Sequence, residues 1–81
     1  MRLISQNGNV DIPYDKATLL HAQDDVMARV GDKEYLMGKY WSMEKSYRVM
    51  EMLREEYLET VYDYRTRPKV FKFPSDEEVE V

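Results

Sequence analysis

The residues able to do chemistry are few and scattered. His21 is the single histidine of the 81-residue chain. A general base needs an orienting partner and a metal centre needs several ligands, so His21 reads as a strand histidine sharing a face with Leu19. Ser5, Ser42, Ser46 and Ser75 lack the neighbouring base that activates a nucleophile. Ser42 reads as a helix cap, and Ser46 as a small contact on that helix. Gly8, Gly31 and Gly38 stand singly and cannot form a phosphate-binding loop. Asp24, Asp25 and Asp32 lack the ligand spacing of a calcium loop. With no cysteine, disulfides and thiolate metal sites are excluded. The chain therefore reads as a non-enzyme, with no cofactor and no metal expected.

Binding chemistry is better represented. The chain has seven tyrosines, two phenylalanines and one tryptophan. Tyr62, Tyr64, Arg65 and Arg67 combine large, stiff aromatic contacts with guanidinium groups, the residue types that dominate binding hot spots. They are the first candidate site. Tyr40 and Trp41 form a second, while Tyr35, Tyr47 and Tyr57 are assigned to the core. Charge is segregated near the end: residues 65–74 hold four bases and no acid, and residues 75–81 four acids and no base. A net charge of −4 argues against nucleic acid as a partner, because phosphates need cationic surface. No stretch approaches a membrane span and the first residues do not form a signal peptide, so a cytoplasmic protein with no membrane contact is expected.

The elements that must position these residues follow from periodicity and turn chemistry. Met1 to Gln6 alternates, Asn7-Gly8 is a strong hairpin turn, and Val10-Asp11-Ile12 alternates again. A two-residue loop pairs Ser5 with Val10 and Leu3 with Ile12. Pro13 closes the second strand. Ala17 to Gln23 reads as a third strand, with the start of a helix over Ala17 to Ala22 as the alternative, and Val26 to Val30 reads as a fourth. Gly31-Asp32 turns the chain into a fifth over Lys33–Tyr40, with Arg29 facing Glu34 and Ala28 facing Tyr35. Gly38 in that strand predicts a bend or the close approach of another element, the helix being one candidate. From Ser42 the period becomes 3.6: Met43, Ser46, Met50, Leu53, Tyr57 and Thr60 form a stripe, widened by Tyr47, Val49, Leu58 and Val61, on a helix of roughly residues 43–61. Glu44 and Arg48 are spaced for an ion pair on the other face.

The expected fold is α+β: an antiparallel β-meander of about five strands, in a curved sheet, packed on one long C-terminal helix, with room for a short final strand at residues 69–73. Residues 1–74 form a single domain in this reading, and residues 75–81 an acidic tail that frays. Phe71 and Phe73 share one side of an edge strand, which predicts a homodimer or larger assembly.

Several segments resemble a group of short proteins from phages and prophages of Gram-positive bacteria. They are Met1-Arg2-Leu3-Ile4-Ser5-Gln6-Asn7-Gly8 with Val10-Asp11-Ile12-Pro13-Tyr14, Glu34 to Tyr40, Glu44-Lys45 with Met50 to Arg54, and Phe71-Lys72-Phe73-Pro74 before an acidic end. The resemblance implies a phage accessory protein and supplies no catalytic or binding residue to carry over. The resulting expectation is a non-enzymatic protein that binds a host protein in the host cytoplasm and inhibits a bacterial defence system. The alternatives are capture of a small ligand such as a nucleotide signal, or a virion assembly subunit.

Overall fold

A turn over residues 5–8, with Gln6 and Asn7 at its centre and not the predicted Asn7-Gly8, sets the first register in the computed structural model, which describes residues 1–62 and 70–81, with only the backbone of 60–62. Gly8 takes φ +81°, a left-handed value glycine adopts without strain, and its N–H donates to the Ser5 carbonyl at 2.9 Å. Strand β1 (Arg2–Ile4) then pairs antiparallel with β2 (Asp11–Pro13), with Leu3 opposite Ile12. The Ser5 N–H donates to the Val10 carbonyl and the Tyr14 N–H to the Met1 carbonyl, both at 2.9 Å, so the predicted hairpin register holds.

The single five-stranded meander does not form. After Pro13, which has no N–H to continue a ladder, a 3-10 turn at Tyr14–Lys16 redirects the chain. β3 (Thr18–Ala22), β4 (Asp25–Val30) and β5 (Lys33–Lys39) build a separate antiparallel sheet in the order β3-β4-β5. Its pairs include Arg29 with Glu34 and Ala28 with Tyr35, as the Gly31-Asp32 turn predicts. The free edge of β1 is taken instead by β6 (Val70–Lys72), which runs parallel to it and places Phe71 against Leu3. The first sheet thus has the order β2-β1-β6. The helix is not the C-terminal element, because the chain returns from it to the sheet.

Helix α1 covers Met43–Tyr62. The Ser42 hydroxyl accepts the Lys45 N–H at 3.3 Å, the expected cap. The buried stripe is Ser46, Val49 and Leu53, with Met50 and Met52 beside it. It keeps Val49 from the margin of the predicted face but is rotated from that face's centre: Met43 and Tyr47 are about half exposed, and Tyr57 and Leu58 are also exposed. Small side chains explain the rotation. Ser46 and Val49 let the helix lie close to β4, whose Val26 and Ala28 are fully buried. Ser46 satisfies its hydroxyl by donating to the Met43 carbonyl at 2.9 Å. Arg48 turns away from Glu44 and reaches Glu51 at 3.2 Å and Glu55 at 3.6 Å.

Two further expectations are corrected. Phe71 and Phe73 are buried within their own chain, edge to face with ring centres 5.3 Å apart, so they supply no reason for self-association. Residues 75–79 are docked and not a free tail. They form a 3-10 turn at Asp76–Glu78, and Val79 enters the core at 4% exposure. Repulsion among the acids is relieved because Asp76 and Glu78 have separate partners, while Glu77 and Glu80 stay exposed. Among the described residues no helix is long and apolar enough to cross a membrane.

Candidate functional site

The end of β5 and the start of α1 meet the C-terminal segment at one corner. Opposite Val26 and Met27 the β4–β5 register shifts by a bulge that makes Met37 the extra residue. Gly38 follows, and a Cβ there would lie 2.6 Å from the Tyr40 ring. The close approach predicted at Gly38 is therefore made by Tyr40, not by the helix. Tyr40 is 4% exposed and its hydroxyl donates to the Pro74 carbonyl at 2.8 Å. Burial, joined by the charges of Asp76 and Glu78, pushes its phenol well above the ordinary tyrosine range. Tyr40 is a structural strut, not an exposed anchor.

Trp41 is the opposite case. Its side chain is 86% exposed, yet its backbone is fixed, because its N–H donates to Asp76 Oδ1 at 2.7 Å. Asp76 Oδ2 accepts from Lys45 Nζ at 2.9 Å, and the Asp76 carbonyl accepts from the same ammonium at 3.0 Å. Desolvation pushes the Asp76 carboxyl up. The Lys45 hydrogen bond, the Trp41 N–H and the Lys45 charge outweigh it and hold the carboxyl below its usual range. Glu78 is also held low, by hydrogen bonds from the Ser75 N–H at 3.1 Å and the Ser75 hydroxyl at 2.9 Å.

Gln6 sits at the centre of the surface beside Trp41. Three adjoining hollows share it. One of about 310 Å³ is lined by Gln6, Lys39, Tyr40 and Trp41. One of about 280 Å³ runs past Lys72, Pro74 and Glu78, and a small one reaches Leu36 and Asn7. The corner thus combines a large exposed aromatic, an exposed lysine (Lys39) and shallow relief on a braced backbone.

A second concavity, of about 490 Å³, lies between the Tyr14–Lys16 turn and α1. Tyr14 and Tyr57 stack there with ring centres 4.4 Å apart. Ala17, Leu19 and Met50 give an apolar floor, with Asp15 and Arg54 at the rim. His21 stacks on Tyr47 at 4.1 Å, and neither buried ring nitrogen has a hydrogen-bond partner among the described residues. Also among the described residues, no group of three or more acidic or histidine side chains is placed to hold a metal ion.

Of the predicted site residues, Tyr40 and Trp41 are adjacent but divided in role. Tyr64, Arg65 and Arg67 lie outside the described residues, as does the side chain of Tyr62. Sequence reasoning missed Gln6 and Asp76. Gln6 reads only as the flank of a turn, and Asp76 as one acid among four; neither carries a signal in the sequence. No family model, no curated protein and no solved structure matches this chain.

Proposed function

We propose that this is a non-enzymatic protein that binds another protein through the corner centred on Trp41. The observation that carries the reading is an almost fully exposed indole on a backbone clamped by Asp76. Exposing so large an apolar side chain is unfavourable in isolation, and fixing its backbone in advance lowers the ordering cost of binding. Lys39 and the polar Gln6 and Asn7 around it provide the rim that surrounds such an anchor. The resemblance to small phage proteins makes a host protein in the host cytoplasm the partner, with inhibition of a bacterial defence system as the outcome. The test is retrieval of a host protein from lysate by wild type and by Trp41→Ala, followed by affinity measurement with the purified partner. Loss of more than about 2 kcal/mol of binding, with an unchanged melting temperature, is expected of a hot spot. Binding that survives the substitution removes this corner as the site.

The cleft beside Tyr14, Tyr57 and Arg54 favours a second reading, capture of a small anionic ligand such as a nucleotide. Arg54 forms no ion pair with another described residue, and the tyrosines offer stacking surface. A nucleotide that binds there at free concentration c stabilises the fold by RT ln(1 + c/Kd), so the melting temperature rises with the logarithm of its concentration above Kd. Arg54→Gln abolishes that rise, and no rise in wild type rejects the reading.

A further inference from the structure

The strands of the described residues leave four sheet edges, and three are protected. β2 has only three residues, with Asp11 and Pro13 among them. β6 is equally short and ends in Lys72. β5 carries Lys33, Glu34 and Lys39, is broken by the bulge at Met37, and has its end covered by Gln6, whose N–H donates to the Met37 carbonyl at 2.7 Å. Charges, proline, bulges and short length are the usual devices that prevent pairing with another chain. β3 has none of them. Thr18-Leu19-Leu20-His21-Ala22 contains no Lys, Arg, Asp, Glu or Pro, is unbulged, and pairs regularly with β4. Its outer side pairs with nothing else among the described residues.

The side chains on this edge are self-complementary. Leu19 and His21 face the helix, since Leu19 lines the cleft with Met50 and His21 stacks on Tyr47. Leu20 therefore faces the other way. It stands opposite Met27, and Met27 opposite Leu36, an apolar row across the sheet that ends at the half-exposed Leu36. On the helix side, Tyr47 is also about half exposed beside the same edge.

We propose that two copies of the chain join edge to edge through β3, antiparallel about a two-fold axis at Leu20. Leu20 then faces the partner's Leu20, Leu19 the partner's His21, and Thr18 the partner's Ala22. No like charges meet, the apolar row runs on unbroken into the second copy, and two three-stranded sheets become one. A two-fold axis makes this contact closed, so it ends at the dimer. Two five-residue strands bury less than the ~1,200 Å² of a standard interface, so the association is reversible and concentration-dependent.

Light scattering and sedimentation from micromolar to millimolar concentration test this. The mass of the wild type is expected to rise from the 9.7 kDa monomer toward twice that value. Leu20→Lys places two ammonium groups opposite each other at the axis while leaving the solvent side of the monomer tolerant. It is expected to weaken association at least tenfold, and mixing it with Leu20→Glu is expected to restore it. Because the chain has no cysteine, Leu20→Cys gives an independent readout. Mild oxidation is expected to produce a covalent dimer, whereas Leu36→Cys, at the far end of the row, is not cross-linked. A wild type that stays monomeric throughout overturns the proposal. So does association unaffected by Leu20→Lys, or cross-linking through residue 36 in place of residue 20.

Discussion

The side chain of Gln6 bonds Lys39 as a neighbouring strand would. Its Oε1 accepts the Lys39 N–H at 3.0 Å, and its Nε2 donates to the Lys39 carbonyl at 3.2 Å. The same Nε2 donates to the Pro74 carbonyl at 3.0 Å. One amide therefore ties the hairpin to the end of β5 and to the C-terminal segment, where no ladder runs between the two sheets among the described residues. It also satisfies backbone groups next to the bulge that would otherwise turn to water.

Gln6→Leu keeps the side-chain bulk and removes all three bonds. With each part-exposed bond worth about 0.5–1.5 kcal/mol net, the variant is expected to lose about 1.5–4.5 kcal/mol of stability in a denaturant titration. Amide exchange should quicken at Lys39. A loss within error would show that water replaces the bridge without cost.

Turn chemistry explains which parts of this fold were legible. Gly31-Asp32 forms a two-residue loop, and a loop of known length fixes every pair beyond it, down to Arg29 with Glu34. At the first hairpin the loop is wider, residues 6–9, closed by the Gly8 N–H on the Ser5 carbonyl, but it is centred on the same point and leaves the register unchanged. The division into two sheets is not local. It depends on β6 reaching β1 across most of the chain, and what holds it there is Phe71 packing on Leu3, a contact with no signature in either segment. The helix face was half legible. Ser46, Val49 and Leu53 belong to both the predicted and the observed face, but Met43 and Tyr57 on the same predicted face stay exposed, because close packing on Val26 and Ala28 favours small residues over large ones. At the site, aromatic excess pointed to Tyr40 and Trp41. Nothing in their types told which would be buried, since that is decided by a partner at Pro74.

The C-terminal segment is expected to be essential for stability. Ending the chain after Ser75 removes the buried Val79 and the Asp76 clamp together. Val79→Ala alone should cost about 1–3 kcal/mol, the transfer of two methyl groups plus the cavity left behind. Thermal melts of both variants give the measurement. An unchanged midpoint in the truncated chain would mean that the segment docks without stabilising the fold.

Acid should loosen the same corner. Asp76 and Glu78 are both held below their ordinary values in the folded chain. Their contribution is fully present above the unfolded carboxylate range, about pH 4, and is lost as pH falls through the lower folded values. Unfolding midpoints between neutral and strongly acidic pH are expected to fall in that window. Asp76→Asn should flatten the dependence and lower the neutral-pH midpoint, since the amide cannot pair with the Lys45 charge. A variant with the wild-type pH profile would assign the acid sensitivity elsewhere.

His21 is the residue whose removal should help. Both its ring nitrogens are buried without a partner among the described residues, while its ring stacks on Tyr47. Leaving a buried polar group unsatisfied costs about 1–3 kcal/mol. Phenylalanine keeps the flat ring and the stack and carries no such group. His21→Phe is therefore expected to raise stability by about 1–2 kcal/mol at neutral pH, read as a higher denaturant midpoint with an unchanged slope. Tyr47→Ala in the same background should remove part of the gain, because the stack is what holds the new ring in place. A less stable His21→Phe variant would show that the imidazole is bonded in solution and that its nitrogens contribute to the fold.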